Sequence, residues 1–268
     1  YHNGAVDGAH SFVSNANYAN ARTPTAANRG RFYQMSRAFG ADAVTTLGTT
    51  MALSTDSFPI AVQFRYRRRG LSVAAIGDSL TSTDAQVSDI LSTWLARACY
   101  DASTPDAPVV PCNLGYSGMS GTTFLGASKT LLATILPDVA FYAPFSPNDL
   151  TTPTQRSVWD GLGRTADFLD FCVANRIVPI LWTPMPMNAY SAATDAFRAY
   201  VSAEVKKMAR SRGIIVADFE TAIANLQTSP AKWKAPYYND GTHPNEAGVE
   251  LLSLVAGQAL QQAIALYK

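Results

Sequence analysis

From Gly70 to its end the chain alternates short apolar runs with longer stretches of helical periodicity, and that alternation leaves few folds open. The runs fall at 72–77, 109–114, 138–145, 177–183 and 214–219. Each is apolar at successive positions rather than at every second one, as strands buried on both faces of a parallel sheet must be. Helical patterns follow near 83–98, 122–135, 154–175, 192–212 and 244–267. The first is marked by Thr83 and Gln86, spaced as a capping box. Val87, Ile90, Leu91, Trp94, Leu95 and Ala98 then recur at helical spacing. The last opens His243-Pro244-Asn245-Glu246, with proline in the first turn, where its missing N–H costs nothing. Crossovers between parallel strands are right-handed, so five such units give an α/β fold. The expectation is a three-layer α/β/α sandwich around a mainly parallel five-stranded sheet. Ligands of such sheets sit at the C-terminal ends of the strands.

The first quarter of the chain has another texture. Residues 1–30 are rich in Asn, Ala and Thr and read as a loop or an extended arm, while 31–35, 43–47 and 60–66 look strand-like. We therefore expect a small β-rich extension over 1–70 and a main domain over 71–268. The cluster Arg65, Arg67, Arg68 and Arg69 reads as the solvated face of an edge strand rather than an anion site. The chain begins Tyr1-His2-Asn3-Gly4, which reads as a processed or excised end. A net charge of +1 gives no reason to expect nucleic acid or an acidic membrane surface. No run approaches the roughly 18 apolar residues of a membrane span. Three cysteines leave at least one unpaired: a Cys99–Cys112 bridge is open if the protein is secreted, and Cys172 reads as a buried small hydrophobe. With no Cys/His cluster and no Gly-rich phosphate loop, neither a metal nor a cofactor is expected.

The polar residues that invite attention lie at the strand ends. They are Gly77-Asp78-Ser79-Leu80, Asn113-Leu114-Gly115-Tyr116-Ser117-Gly118, Ser146-Pro147-Asn148-Asp149 and, before the last helix, Asp240-Gly241-Thr242-His243. Together, and in this order, they resemble the blocks of the SGNH (GDSL-type) hydrolase family over roughly residues 71–268. The resemblance implies a flavodoxin-like sandwich and an ester hydrolase. It implies Ser79 as nucleophile, Gly118 and Asn148 as oxyanion donors beside the Ser79 N–H, and Asp240 and His243 as the rest of a Ser-His-Asp triad. One departure stands out. The third block usually reads Gly-x-Asn-Asp, whereas Ser146 holds the glycine position here, and a residue with a side chain restricts the turn leading to Asn148.

Elementary chemistry points the same way. A serine hydroxyl needs a neighbouring base at neutral pH. Of the three histidines, His2 and His10 lie in the N-terminal arm, so His243 is the one within the α/β region. Asp240, three residues earlier, can hold the ring in one tautomer. Asp78 reads as a turn-stabilising side chain and Asp149 as a brace for its loop. Two loops, Trp182 to Asn188 and Trp233 to Tyr238, are expected to line the pocket, their aromatics suiting a sugar or an acyl chain, with ordinary loop packing accounting for at least half of them. No long hydrophobic lid is evident. The leading expectation is an esterase removing O-acetyl groups from a carbohydrate, acting on a small-molecule or polysaccharide ester in an extracellular or surface setting. A lipolytic or short-acyl esterase is the alternative. A non-catalytic glycan-binding module fits less well, because nucleophile and base are both present.

Overall fold

The computed structural model describes residues 2–3, 7–15, 59–66, 70–82, 93–104, 107–118, 120–150 and 155–267. Side-chain environments are described for 70–82, 93–104, 107–118, 120–121, 129–150 and 159–266. In chain order the first strands are β1 (His2–Asn3), β2 (Asp7–Asn15) and β3 (Pro59–Tyr66), an antiparallel sheet with Gly8 opposite Tyr66 and Asn15 opposite Pro59. The expected strand at 60–66 is β3, whereas the stretch read as a loop or arm contains β2. The strands expected at 31–35 and 43–47, the capping box at Thr83 and the side chains of the arginine cluster lie outside the described residues.

The main body follows as β4 (Leu71–Gly77), α1 (Ser79–Ser82), α2 (Trp94–Ala102), β5 (Val109–Gly115), α3 (Gly121–Ile135) and β6 (Val139–Tyr142). A 3-10 turn at Pro147–Leu150 comes next, then α4 (Gln155–Ala174), β7 (Val178–Trp182), α5 (Ala192–Arg212), β8 (Ile215–Ala217) and α6 (Phe219–Ile223). The chain closes through a short hairpin of β9 (Ala224–Asn225) and β10 (Lys232–Trp233), and then α7 (Glu246–Tyr267). Five strands form one parallel sheet in the order β5-β4-β6-β7-β8. This is the expected architecture.

Neighbouring residues of one strand show how the helices cover both faces, since successive side chains point to opposite sides. Phe141 of β6 meets the indole of Trp94 edge-on at 5.4 Å, so it points to the layer holding α2. Tyr142, the next residue, stacks on Phe168 of α4 at 4.4 Å, on the opposite face. Helices α6 and α7 share the α2 side, with Phe219 edge-on to Trp94 at 5.3 Å and α7 packed on α2. By length and composition α7 could cross a membrane, with a mean hydropathy of 1.3. Its Val249, Leu252, Ala256, Leu260 and Ala263 form one completely buried stripe, packed on the sheet and α2, while Leu254 and Leu266 are exposed.

Several boundaries differ from the expected ones, each for a local reason. A single helix through Thr93 does not form. Thr93 has an extended backbone and its hydroxyl accepts the Ala96 N–H at 3.3 Å, so it caps a new helix. The strand expected to run to residue 219 stops at Ala217, because the Asp218 carboxylate accepts the Thr221 N–H and starts α6. Helix α7 begins at Glu246, not at Pro244. Asn245 caps it, its side chain accepting the Gly248 N–H at 3.0 Å. Cys99 and Cys112 stand as buried thiols with no disulfide between them, and burial pushes the Cys99 thiol well above its usual range.

Candidate active site

Ser79 is the first residue of α1, directly beyond β4, and the turn that presents it is built around small residues and backbone hydrogen bonds. A Cβ at Gly77 would fall 2.0 Å from the Thr81 hydroxyl oxygen, so the strand must end in glycine. Asp78 is fully buried. Its Oδ1 accepts the Leu80 N–H at 2.8 Å, while its carbonyl accepts the Thr81 and Ser82 N–H groups at 3.0 and 2.9 Å. The neighbouring strand braces the same turn: Asn113 on β5 donates from Nδ2 to the Thr81 carbonyl at 3.0 Å. A Cβ at Gly115 would lie 2.4 Å from the Ser82 nitrogen, so β5 packs directly on α1. Burial pushes the Asp78 carboxyl up to about 6, against the hydrogen bonds from Ser146 and Leu80, which favour its ionised form.

The loop before α7 brings His243 to this turn. Its Nε2 lies 3.0 Å from the Ser79 Oγ and its Nδ1 lies 2.7 Å from the Asp240 Oδ2. The second oxygen of Asp240 accepts the backbone N–H groups of Thr242 and His243 at 2.9 and 2.8 Å. Partial desolvation works to raise the Asp240 carboxyl, but these three hydrogen bonds outweigh it and hold the group down at about 2. An ionised Asp240 keeps the ring proton on Nδ1, which leaves Nε2 as an acceptor facing the serine hydroxyl. The loop is held from outside by Asn188, whose N–H donates to the Gly241 carbonyl at 2.8 Å and whose Oδ1 accepts the Trp233 N–H at 3.1 Å. Gly241 has φ +82°, and a Cβ there would sit 3.0 Å from the Asn188 Cβ.

Gly118 and Asn148 come from the loops after β5 and β6, the two strands flanking β4, so the sheet order sets one on each side of Ser79. Both are exposed, and Gly118 takes φ +76°. The Asn148 loop is tied down by its neighbours. Ser146 is fully buried, its N–H donates to the Asp149 Oδ2 at 2.8 Å, and its Oγ accepts the Asn148 N–H at 3.1 Å. The same hydroxyl donates to the Asp78 Oδ2. Asp149 also accepts the Gly121 N–H at the start of α3 at 2.9 Å, with Arg164 3.8 Å away, so it braces the loop as expected.

The structure thus brings Ser79, His243 and Asp240 into one hydrogen-bonded chain and places Gly118 and Asn148 on the flanking loops. Sequence reasoning missed Asn188, which no motif marks, and the bridging by Ser146, whose only signal was its departure from glycine. It misjudged the two tryptophans. Trp182 packs on Phe219 at 5.4 Å and Trp233 donates from Nε1 to the Pro186 carbonyl. Both are buried core residues rather than pocket walls. Tyr116, Tyr237 and Tyr238 remain partly exposed near these loops.

The five-stranded parallel sandwich thus carries a serine, a histidine and an aspartate in hydrogen-bond contact beyond its strand ends. The chain belongs to the GDSL-like lipase/acylhydrolase family, whose model matches residues 75–251. Solved structures share the fold at low identity. A GDSL-like lipase from Bacteroides thetaiotaomicron superposes with a TM-score of 0.59 at 16% identity, covering 72% of this chain and 88% of its own. The psychrotrophic esterase EstA from Pseudoalteromonas sp. gives 0.56 at 15%, covering 72% and 98%. An acetyl xylan esterase, AlAXEase, gives 0.54 at 17%, covering 70% and 99%. No curated protein matches the chain.

Proposed function

We propose that this protein is a serine esterase in which Ser79 is acylated with help from His243 and Asp240, and that its substrates are O-acetyl groups on a carbohydrate. The observation that carries the reading is the chain Ser79 Oγ to His243 Nε2 and His243 Nδ1 to Asp240 Oδ2, at 3.0 and 2.7 Å. In this mechanism Nε2 takes the hydroxyl proton as Oγ attacks the ester carbonyl. The Ser79 and Gly118 N–H groups and the Asn148 side-chain amide donate to the carbonyl oxygen as it gains negative charge. Collapse expels the alcohol, which takes its proton from the imidazolium. Water, deprotonated by the same ring, then cleaves the acyl-enzyme and releases the acid. Asp240 stays ionised throughout and stabilises the imidazolium.

The openness of the site favours an ester carried on a bulky alcohol. The His243 side chain keeps 26% of its surface, and Gly118 and Asn148 are exposed, so an acetyl group on a polymer can reach Ser79 without being engulfed. That a protein of similar fold is an acetyl xylan esterase agrees with this choice. The lipolytic alternative rests on the family description. We further propose that 71–268 is the hydrolase domain and 1–70 a β-rich extension that serves it. Two measurements test the reading. Ser79→Ala must abolish hydrolysis of p-nitrophenyl acetate while circular dichroism stays native; residual activity would refute the nucleophile, and a wild-type protein inactive on every ester would leave a glycan-binding module in its place. Acetate release from acetylated polysaccharides must exceed turnover of long acyl esters, and preference for chains of about eight carbons or more would replace the carbohydrate assignment with a lipase.

A further inference from the structure

We propose that Ser146 is a positioning residue, which uses its hydroxyl to lock the oxyanion donor Asn148 to the turn that carries the nucleophile. The inference rests on the esterase reading above and adds to it a residue that the family pattern fills with glycine. Three observations carry it. First, Ser146 is fully buried, and so is Asp78, the residue directly before Ser79. Second, the hydrogen-bond directions follow once Asp78 is ionised. The Asn148 N–H can only donate, so the Ser146 Oγ accepts it at 3.1 Å and turns its own proton to the Asp78 Oδ2. Third, each end is held independently. The other Asp78 oxygen accepts the Leu80 N–H at 2.8 Å, and the Ser146 N–H donates to Asp149 at 2.8 Å.

The consequence is geometric. Ser79 and Asn148 belong to loops beyond the paired strands β4 and β6. Through Asp78 and Ser146 a buried hydroxyl links them, two residues from Asn148 and one from Ser79. Oxyanion donors act only when about 2.7–3.1 Å from the developing charge, and a misplacement of about 1 Å can cost on the order of 10²-fold in rate. Glycine at this position gives the turn but not the link. The residue that looks like a departure from the pattern therefore supplies a connection that the pattern itself lacks.

The test is a double-mutant cycle on kcat with p-nitrophenyl acetate, made with Ser146→Ala, Asn148→Ala and the pair. Ser146→Ala is expected to lower kcat roughly 10- to 100-fold with KM changed by less than about threefold, since the donor acts mainly in the transition state. In the Asn148→Ala background the same substitution should change kcat by less than about twofold, because its route of action is gone. Ser146→Gly, which the turn accommodates, should reproduce the Ser146→Ala loss and stands in for it should the alanine variant fail to fold. An unchanged kcat in Ser146→Gly, or losses that multiply in the pair, would overturn the proposal. Activity surviving in Ser79→Ala would instead overturn the esterase reading beneath it, so the two failures are told apart.

Discussion

Asp78 is a carboxyl group with no exposed surface, and its burial makes a stability prediction whose sign is unusual for an aspartate. Burial raises it from 3.8 to about 6, the hydrogen bonds from Ser146 and Leu80 only partly opposing this. The folded state therefore holds the Asp78 proton more tightly than the unfolded chain does. The stability this contributes is full below about pH 4 and is lost as pH rises through about 6, opposite to the behaviour of a salt-bridged carboxylate. At about 1.4 kcal/mol for each tenfold change in proton affinity, the loss amounts to about 3 kcal/mol. Asp78→Asn removes the titration and keeps a side-chain oxygen for the Leu80 N–H. Urea unfolding followed by tryptophan fluorescence at pH 3.5 to 7.5 would give both stabilities. Their difference, wild type minus variant, should fall by about 3 kcal/mol across that range. Groups common to both proteins cancel, Asp240 among them. Its lowered carboxyl adds stability that is present above about pH 4 and lost only as pH falls toward 2. A flat difference, or one that rises with pH, would refute the account of Asp78 as a desolvated acid.

Two further changes probe the site and its support. Asp240→Asn should lower kcat for ester hydrolysis by on the order of 10⁴ with the fold intact, because an amide no longer selects the Nδ1–H tautomer; steady-state kinetics on p-nitrophenyl acetate checks it. Arg198, fully buried beneath the loop after β7, pairs with Asp195 at 2.6 Å and with Glu220, and donates to the Pro184 carbonyl at 3.3 Å. Arg198→Met should cost about 3 kcal/mol in urea unfolding by removing the buried cation between two carboxylates, with Glu220 left to Ser202 and Lys206 and Asp195 to the Ala231 N–H, and a loss under about 1 kcal/mol would mean that water reaches the pair.

What could be read from the sequence was whatever a local pattern or a scarce residue type dictates. Strand β4 announces itself because Val73, Ala74, Ala75 and Ile76 are apolar in succession, and all four are fully buried. Ser79 and His243 could be singled out because the α/β region has one histidine and the chemistry needs a base. Boundaries failed where two local preferences competed. Phe219 extends the apolar run of β8, but Asp218 prefers to cap a helix, and the cap prevails. The misjudged tryptophans and the unmarked Asn188 share one cause. Their partners, Pro186 for Trp233 and Gly241 for Asn188, lie far off in sequence, and no pattern in a window of residues reports a contact of that kind.

The two aspartates near Ser79 show why proximity in sequence is a poor guide to role. Asp78 adjoins the serine, yet its oxygens are taken up by the Leu80 N–H and the Ser146 hydroxyl, and burial favours its neutral form. Asp240 is remote in sequence and has a side chain 57% exposed, yet three hydrogen bonds hold it ionised at about 2. A group meant to balance an imidazolium must carry charge when the proton arrives, and of the two only Asp240 does so across the whole neutral and mildly acidic range. Asp78 has the properties of a strut. It is rigid and dry, and it is bonded to the turns on both sides of it. On this argument the fold separates the two tasks by solvent. The carboxylate bonded to the histidine stays at the surface, where charge is inexpensive, and the one that shapes the turn is buried, where charge is costly.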